Sequence, residues 1–508
     1  MRKWLPLVAI CLGAFMLLID VSIVNVALPK MSHDLHSSFT SLQWVVDMYA
    51  LVLASLLLAV GSIGDRIGHR RMYVAGLVLF ALASLACGLS PNVAALITAR
   101  AVQGLGAAAM FNSTTSLLNS TYQGRDRGTA YGIWGAVNGS AAALGPVLGG
   151  LLTEQFGWRS IFLVNLPVAV IGVVMARRVL NESRNPVASR LDYGGALSFT
   201  AAAGAVTYAL IESDDKGWGS STVLGLLGFS VVALLVFLLI ERKVAAPLLD
   251  LSLFRRPTFL GLMIAALVFP AAAFSHLTYT SLWLQSVLGL SPIEAGLVVS
   301  PLALAAFVVS GAGGKLLHKL APQLAIGGGL IFVGIGTLLL MVVSADSTWT
   351  ALMAGLVISG VGVGMVSPIL MSATMSAVPR ERAGMGSGAV NTFRQLGYAL
   401  GIAVLGTVFA DRLRSVGGAQ SAAGISRGAP GSGQGVNLDL VHKAAALGLD
   451  RIYLIAGITA LVGGALVLAL VRRAPAPAWA AGGGAAGGGG AGAPAGAAAD
   501  RPTVPAEH

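Results

Sequence analysis

The chain has 508 residues, of which 56% are hydrophobic and only 10% charged, with a mean hydropathy of +0.81. A soluble surface of that size needs far more charge, so the composition excludes a water-soluble protein and points to helices facing lipid. Lys and Arg exceed Asp and Glu by eleven, but these cations sit in short loops between apolar runs, which excludes a nucleic-acid partner.

Met1-Arg2-Lys3 leads directly into an apolar run long enough to span, so the first helix is expected to be retained rather than cleaved. A crossing takes about 20 apolar residues. Such runs fall near 6–29, 43–63, 72–90, 93–117, 129–152, 160–177, 191–211, 221–240, 259–282, 292–312, 322–344, 350–377, 386–409 and 452–472, giving fourteen expected spans. An even number puts both termini on one side. Alternate loops, from Arg2 and Lys3 through Arg66, Arg70 and Arg71 to Arg472 and Arg473, hold 21 basic residues against 8 in the opposite loops. The richer side is expected to be cytoplasmic, with both termini on it.

The loop 410–451 is rich in Gly, Ser and Ala and is expected to be partly disordered. Residues 474–508 are mostly Ala, Gly and Pro and read as a disordered cytoplasmic tail. That composition suits a high-GC bacterium, and hence the bacterial inner membrane. Cys11 and Cys87 both fall inside apolar segments without metal-ligand spacing, so no metal is expected.

An internal repeat is visible. Gly-Ala-Val-Asn occurs at 135–138 and again at 388–391, an offset of 253 residues. Gln103-Gly-Leu-Gly106 resembles Ser359-Gly-Val-Gly362 at an offset of 256, and Gly64–Arg70 weakly matches Gly314–Lys319. The order and spacing imply two six-helix bundles, residues 1–180 and 258–473, with an inserted pair of spans in 181–257. Parallel repeats of this kind place a binding site near mid-membrane at the bundle interface. One chain suffices for this architecture, so a monomer is expected.

Ionisable groups inside a membrane are costly and mark function. Asp20 lies deep in span 1, in Leu-Leu-Ile-Asp-Val-Ser. Its place in the apolar run makes Asp20 a candidate proton carrier. The alternative is a permanent structural pair with Arg100. Asp47, about a turn inside span 2, reads as a second proton site, a contact for a cationic substrate, or an interfacial acid. Arg100 and Gln103 lie one turn apart on span 4 and share a face, Arg100 as a proton-coupling partner that protonation of Asp20 would free and Gln103 as a candidate for the cavity wall. Asn25, Trp134, Asn138, Asn391, Phe393, Arg394 and Gln395 are candidates for the cavity wall. His276 in span 9 reads as a neutral hydrogen-bonding group, with a titrating role in coupling as the alternative.

Gly135, Gly139, Gly145, Pro146, Gly149 and Gly150 make span 5 smooth, allowing close backbone approach and a bend. The turn holding Gly61, Asp65, Arg66, Gly68 and Arg70 joins spans 2 and 3. Its arginines set topology. Asp65 can cap the positive N-terminus of a neighbouring helix, forming a latch between halves.

These segments resemble the major facilitator superfamily, specifically the fourteen-helix drug:proton antiporters of the EmrB/QacA type. Gly61–Arg71 looks like the superfamily's signature loop, Arg100-x-x-Gln103-Gly104-x-Gly106 like the span 4 motif, and Gly135–Gly150 like the span 5 antiporter motif. Asp20–Pro29 and the run Trp158-Arg159, Phe162, Asn165 and Pro167 are similar to further family segments. The resemblance implies a proton-driven exporter of small amphipathic drugs, antibiotics or dyes, working by alternating access with Asp20 as the span 1 acid. It implies no cofactor, only a proton gradient, and protons, substrate and the lipid bilayer as partners. Spans 9 to 14 show no deeply placed acid, a departure from some members. Uptake by the same fold, or a membrane-embedded sensor or enzyme, are the competing expectations. The last is disfavoured, because the sequence offers no nucleophile–base pair or phosphate-binding loop.

Overall fold

The computed structural model describes residues 2–37, 39–184, 192–244, 247–317, 320–343, 347–379, 383–426 and 438–471. Among them there is no strand. The absence follows from the apolar runs: in lipid, every backbone N–H and C=O must be paired internally, and a helix does so within one segment. The helices in chain order are α1 (Leu5–Leu35), α2 (Phe39–Ile67), α3 (His69–Gly88), α4 (Val93–Thr121), α5 (Gly124–Phe156), α6 (Ser160–Leu163), α7 (Asn165–Val179), α8 (Tyr193–Lys216) and α9 (Ser221–Lys243). They continue as α10 (Pro257–Ala273), α11 (Ser275–Ser286), α12 (Pro292–Leu317), α13 (Pro322–Leu339), α14 (Met353–Ala377), α15 (Ala383–Ser426) and α16 (Leu438–Leu470).

Among the described residues, thirteen stretches are long and apolar enough to cross a membrane. The other expected span is α5, a helix of 33 residues whose glycines, Asn138 and Ser140 lower its hydropathy. Spans 6 and 9 are each broken, at Val164 between α6 and α7 and at Phe274 between α10 and α11, one turn after Pro270. Local chemistry sets several ends. Asn92 accepts a hydrogen bond from the Ala95 amide at 2.9 Å and starts α4. Ser291 and Glu294 cap α12 reciprocally, at 2.8 and 3.2 Å. Gly68 takes φ 104° in the tight reversal from α2 to α3, a conformation that favours glycine.

The loop expected over 410–451 is corrected. Helix α15 continues to Ser426 and α16 begins at Leu438, with 427–437 outside the described residues. The Ala, Leu, Arg and Gln content of these flanks supports helix and outweighs their few glycines. Residues 474–508, Arg380, Arg382 and Lys319 lie outside the described residues, as do the side chains of Lys315, Asn25 and Pro146 and the surroundings of Gly139.

Helix pairing follows one scheme twice. In the first part, α4 packs on α2 and α3, while α1 packs on α5 and α7, and α3 on α7. In the second, α14 packs on α12 and α13, while α10 packs on α15 and α16, and α13 on α16. Glycines permit matching close approaches. A Cβ at Gly106 of α4 would stand 2.8 Å from the Phe80 amide of α3, and one at Gly362 of α14 would stand 2.7 Å from the Val333 amide of α13. The two parts meet through α2 on α15 and α5 on α12. Helix α8 packs on α2, α9 and α15. Helix α9 leaves Leu224, Phe229, Val231, Val232, Leu235 and Leu239 exposed, the signature of a peripheral, lipid-facing helix.

Candidate functional site

Five helices meet around a cluster built on Asp20, which is fully buried, as are Arg100 and Gln103. Arg100 Nη1 donates to Asp20 Oδ2 at 2.5 Å and to Gln103 Oε1 at 2.7 Å. Its Nε donates to the Val45 carbonyl of α2 at 2.9 Å. Gln103 Nε2 donates to Asp20 Oδ1 at 2.9 Å and to Ser84 Oγ of α3 at 2.7 Å. Asn165 Nδ2, at the start of α7, reaches Asp20 Oδ1 at 3.1 Å and Ser84 Oγ at 3.3 Å. The guanidinium lies over the Tyr49 ring at 4.3 Å, with Phe162 further off at 5.9 Å. Cys87 Sγ stands 3.8 Å from Gln103 Oε1.

Asp20 therefore accepts from three side chains on two other helices, and one nitrogen of Arg100, Nη2, is buried without a partner. Charge-assisted bonds of this kind are the strong class, and their worth grows where water is excluded. The single spacing Arg100–Gln103 put both groups on one face of α4. Only the fold adds Ser84, Asn165, Val45 and Tyr49. A polar residue in an apolar run, as at Ser84 and Asn165, was the available signal. The Val45 carbonyl carries none.

Asp47 stands half-buried two residues after Val45 on α2, near Trp44, whose ring meets Tyr208 of α8 at 5.2 Å. It shares a helix with the cluster's Val45 and Tyr49.

The turn Gly61–Arg70 forms a second centre. Asp65 Oδ2 accepts from the Met385 amide in the first turn of α15 at 3.2 Å, and its Oδ1 lies 2.9 Å from His69 Nε2. Arg70 Nη1 donates to the Leu180 carbonyl at 3.2 Å, and its amide donates to Glu182 Oε1 at 3.0 Å. Arg66 is exposed and Gly61 buried. Beside this turn the hydroxyls of Thr115 (α4) and Ser387 (α15) touch, and Ser387 donates to the Asn112 carbonyl at 3.1 Å. A Cβ on Gly388 would come within 3.0 Å of Leu58 Cα.

Along the seam, buried polar atoms without partners gather on α4, α5 and α15. They include both side-chain atoms of Asn112, the Trp134 indole nitrogen, Asn138 Oδ1 and Asn391 Oδ1. Trp134 is only 1% exposed, edge-on to Tyr131. Phe393, Arg394 and Gln395 are half-buried on the same helix as Asn391, and Phe393 lies 6.2 Å from Phe254.

Helix α5 touches both parts. A Cβ on Gly149 would stand 2.9 Å from the Ile23 carbonyl of α1, and one on Gly150 would stand 2.8 Å from Ile293 of α12. Gly145 faces Ser22, two residues beyond Asp20, and Gly135 lies near Ser310 and Pro368.

Two expectations for the second half are revised. His276 is fully buried edge-on to Tyr453, but neither ring nitrogen has a hydrogen-bond partner. Asp450, expected in a loop, lies half-buried within the apolar stretch of α16.

Helices long and apolar enough to cross a membrane, a repeated packing scheme and a buried ion pair define a multi-pass membrane protein built of two related parts. The Major Facilitator Superfamily model matches residues 10–402, and the chain belongs to that superfamily. Over 408 residues it is 38% identical to "Multidrug resistance protein Stp" of Mycobacterium tuberculosis, covering 80% of this chain and 76% of that protein. It is 32% identical to "Tetracenomycin C resistance and export protein" of Streptomyces glaucescens, covering 92% and 91%. The crystal structure of the human organic anion transporter MFSD10 shares the fold, with a TM-score of 0.63 at 15% identity over 92% of this chain and 99% of that one.

Proposed function

We propose that the chain exports small amphipathic compounds, antibiotics or other drugs among them, in exchange for protons. The observation that carries this reading is the sealed Asp20–Arg100 pair. The relatives, a multidrug resistance protein and a tetracenomycin C resistance and export protein, supply the direction and the class of cargo.

Asp20 acts here only as an acceptor, so a proton placed on it cancels the charge that holds Arg100. Arg100 also holds Val45, so a change at Asp20 is passed to α2. The far end of α2 carries Asp65 and its contact with α15. One helix thus joins the proton site to the closure between residues 1–180 and 258–473, the two bundles of the proposed alternating-access cycle, with 181–257 as an inserted pair.

In that cycle the substrate enters from the cytoplasm or inner leaflet and settles against Asn138, Asn391, Phe393 and Arg394. The outward-facing form takes a proton on Asp20 and releases the substrate. The protonated form returns inward and gives the proton to the cytoplasm. A substrate drives the exchange only by binding the two forms differently. The Lys and Arg distribution puts both termini in the cytoplasm of a bacterial cell, and one chain forms the whole pathway.

Proton movement in inverted membrane vesicles tests the reading. A pH-sensitive dye reports an imposed gradient while candidate compounds are added. Dissipation that needs both a compound and Asp20, and disappears in Asp20→Asn, is the expected result. Full gradient-driven transport by Asp20→Asn overturns the assignment of the proton site.

A further inference from the structure

Along α3 lies a groove of about 500 Å³ whose walls differ in chemistry from end to end. Arg70, Arg71 and Arg177 line one end; Val74, Val78 and Leu82 line the rest. Arg71, Val74, Val78 and Leu82 recur every three or four residues, so they form one stripe along α3. Val78 and Leu82 are 41% and 61% exposed, and Val170, Ile171 and Val174 of the neighbouring α7 are exposed as well. In a membrane protein such a stripe meets acyl chains.

The charged end is unbalanced. Glu182 Oε2 lies 3.7 Å from Nε of both Arg70 and Arg71, so one carboxylate is shared by two guanidinium groups. Arg177 and Arg178 add two cations on the last turn of α7, and among the described residues neither forms an ion pair. Arg71 keeps 67% of its side chain exposed. From Arg71 to Leu82 the helix rises about 16 Å at 1.5 Å per residue. One leaflet of hydrocarbon is about 15 Å deep. The groove is therefore one acyl chain long, with a cationic pocket at headgroup level.

We infer that this groove binds a phospholipid with an anionic headgroup. The phosphate sits between Arg71 and Arg177, and one acyl chain lies along Val74, Val78 and Leu82. Basic pockets between membrane helices select anionic over zwitterionic lipid because the headgroup's net charge answers the uncompensated arginines. The inference rests on the membrane placement of the chain and not on the proposed transport, so either can fail alone.

The test is native mass spectrometry of the purified full-length protein with added phosphatidylglycerol or phosphatidylcholine, alongside thermal melting with the same lipids. Phosphatidylglycerol is expected to be retained and to raise the melting temperature, phosphatidylcholine much less. In Arg71→Gln/Arg177→Gln retention should fall about tenfold or more. Arg255→Gln/Arg256→Gln, with the same loss of charge elsewhere, should retain lipid as the wild type does. Val78→Trp, which fills the acyl channel without touching charge, should also lower retention. Equal retention of phosphatidylcholine by the wild type overturns the inference without any variant. Wild-type retention by Arg71→Gln/Arg177→Gln overturns it too. Stabilisation by inorganic phosphate alone, equal to that by lipid, would assign the pocket to a free anion and overturn the lipid site.

Discussion

Asp65 and Met385 are 320 residues apart in the chain, yet the Asp65 carboxylate accepts the Met385 backbone amide at 3.2 Å. The acid ends α2 and the amide belongs to the first turn of α15, where the helix dipole is positive. A negative charge placed there is worth about 0.3–1 kcal/mol. The contact joins two helices that must part if the protein opens at this end.

Asp65→Asn keeps the shape and removes the charge. It should raise the population open at the Asp65 end by up to about fivefold, the equivalent of about 1 kcal/mol. Spin-label distances between the ends of α2 and α15 read that population. An unchanged distribution would leave Asp65 as a local cap without a gating role.

The Asp20–Arg100 pair should behave as one unit. Removing a single partner strands a buried charge and typically costs about 3–5 kcal/mol. Asp20→Asn and Arg100→Met should each lower the melting temperature clearly, while the double variant should be more stable than the sum of the two losses. A double-mutant cycle from thermal denaturation in detergent measures this. Simple additivity would contradict the coupling drawn from the 2.5 Å contact.

Gly149 tests the smooth face of α5 against a backbone atom of α1. A side chain there meets the Ile23 carbonyl at 2.9 Å, three residues from Asp20. Gly149→Val should cost about 1–3 kcal/mol by overpacking and abolish substrate efflux. Gly225→Val on the lipid-facing α9, where nothing lies within 4 Å, should transport normally. Efflux from cells loaded with a fluorescent substrate compares the two.

Membrane orientation is open to direct labelling, because Cys11 and Cys87 are both buried and give little background. A membrane-impermeant maleimide should label Gly219→Cys in intact cells and Arg255→Cys only in inverted vesicles. The reverse pattern would turn the whole protein over and with it the direction of proton flow.

Much of this was legible in one dimension. Apolar runs of membrane length dictate helices because lipid offers the backbone no partners, and Lys and Arg in alternate loops assign the sides. The rarity of ionisable residues in those runs singles out Asp20 and Arg100, and Ser291 with Glu294 writes a helix start in four residues. Composition misled at 410–451: a few glycines suggested a loop, but Ala- and Leu-rich flanks continue α15 and α16, which brings Asp450 into a helix. The tertiary structure alone decided what surrounds the Asp20–Arg100–Gln103 cluster. Ser84, Asn165 and the Val45 carbonyl lie on three other helices, and their meeting depends on crossing angles and close glycine contacts that no local pattern encodes. The same holds for the cap of Asp65 on α15 and for the groove where Arg177 joins Arg71. Spacing along one helix is fixed by its own periodicity, whereas partners between helices are fixed only when all of them pack.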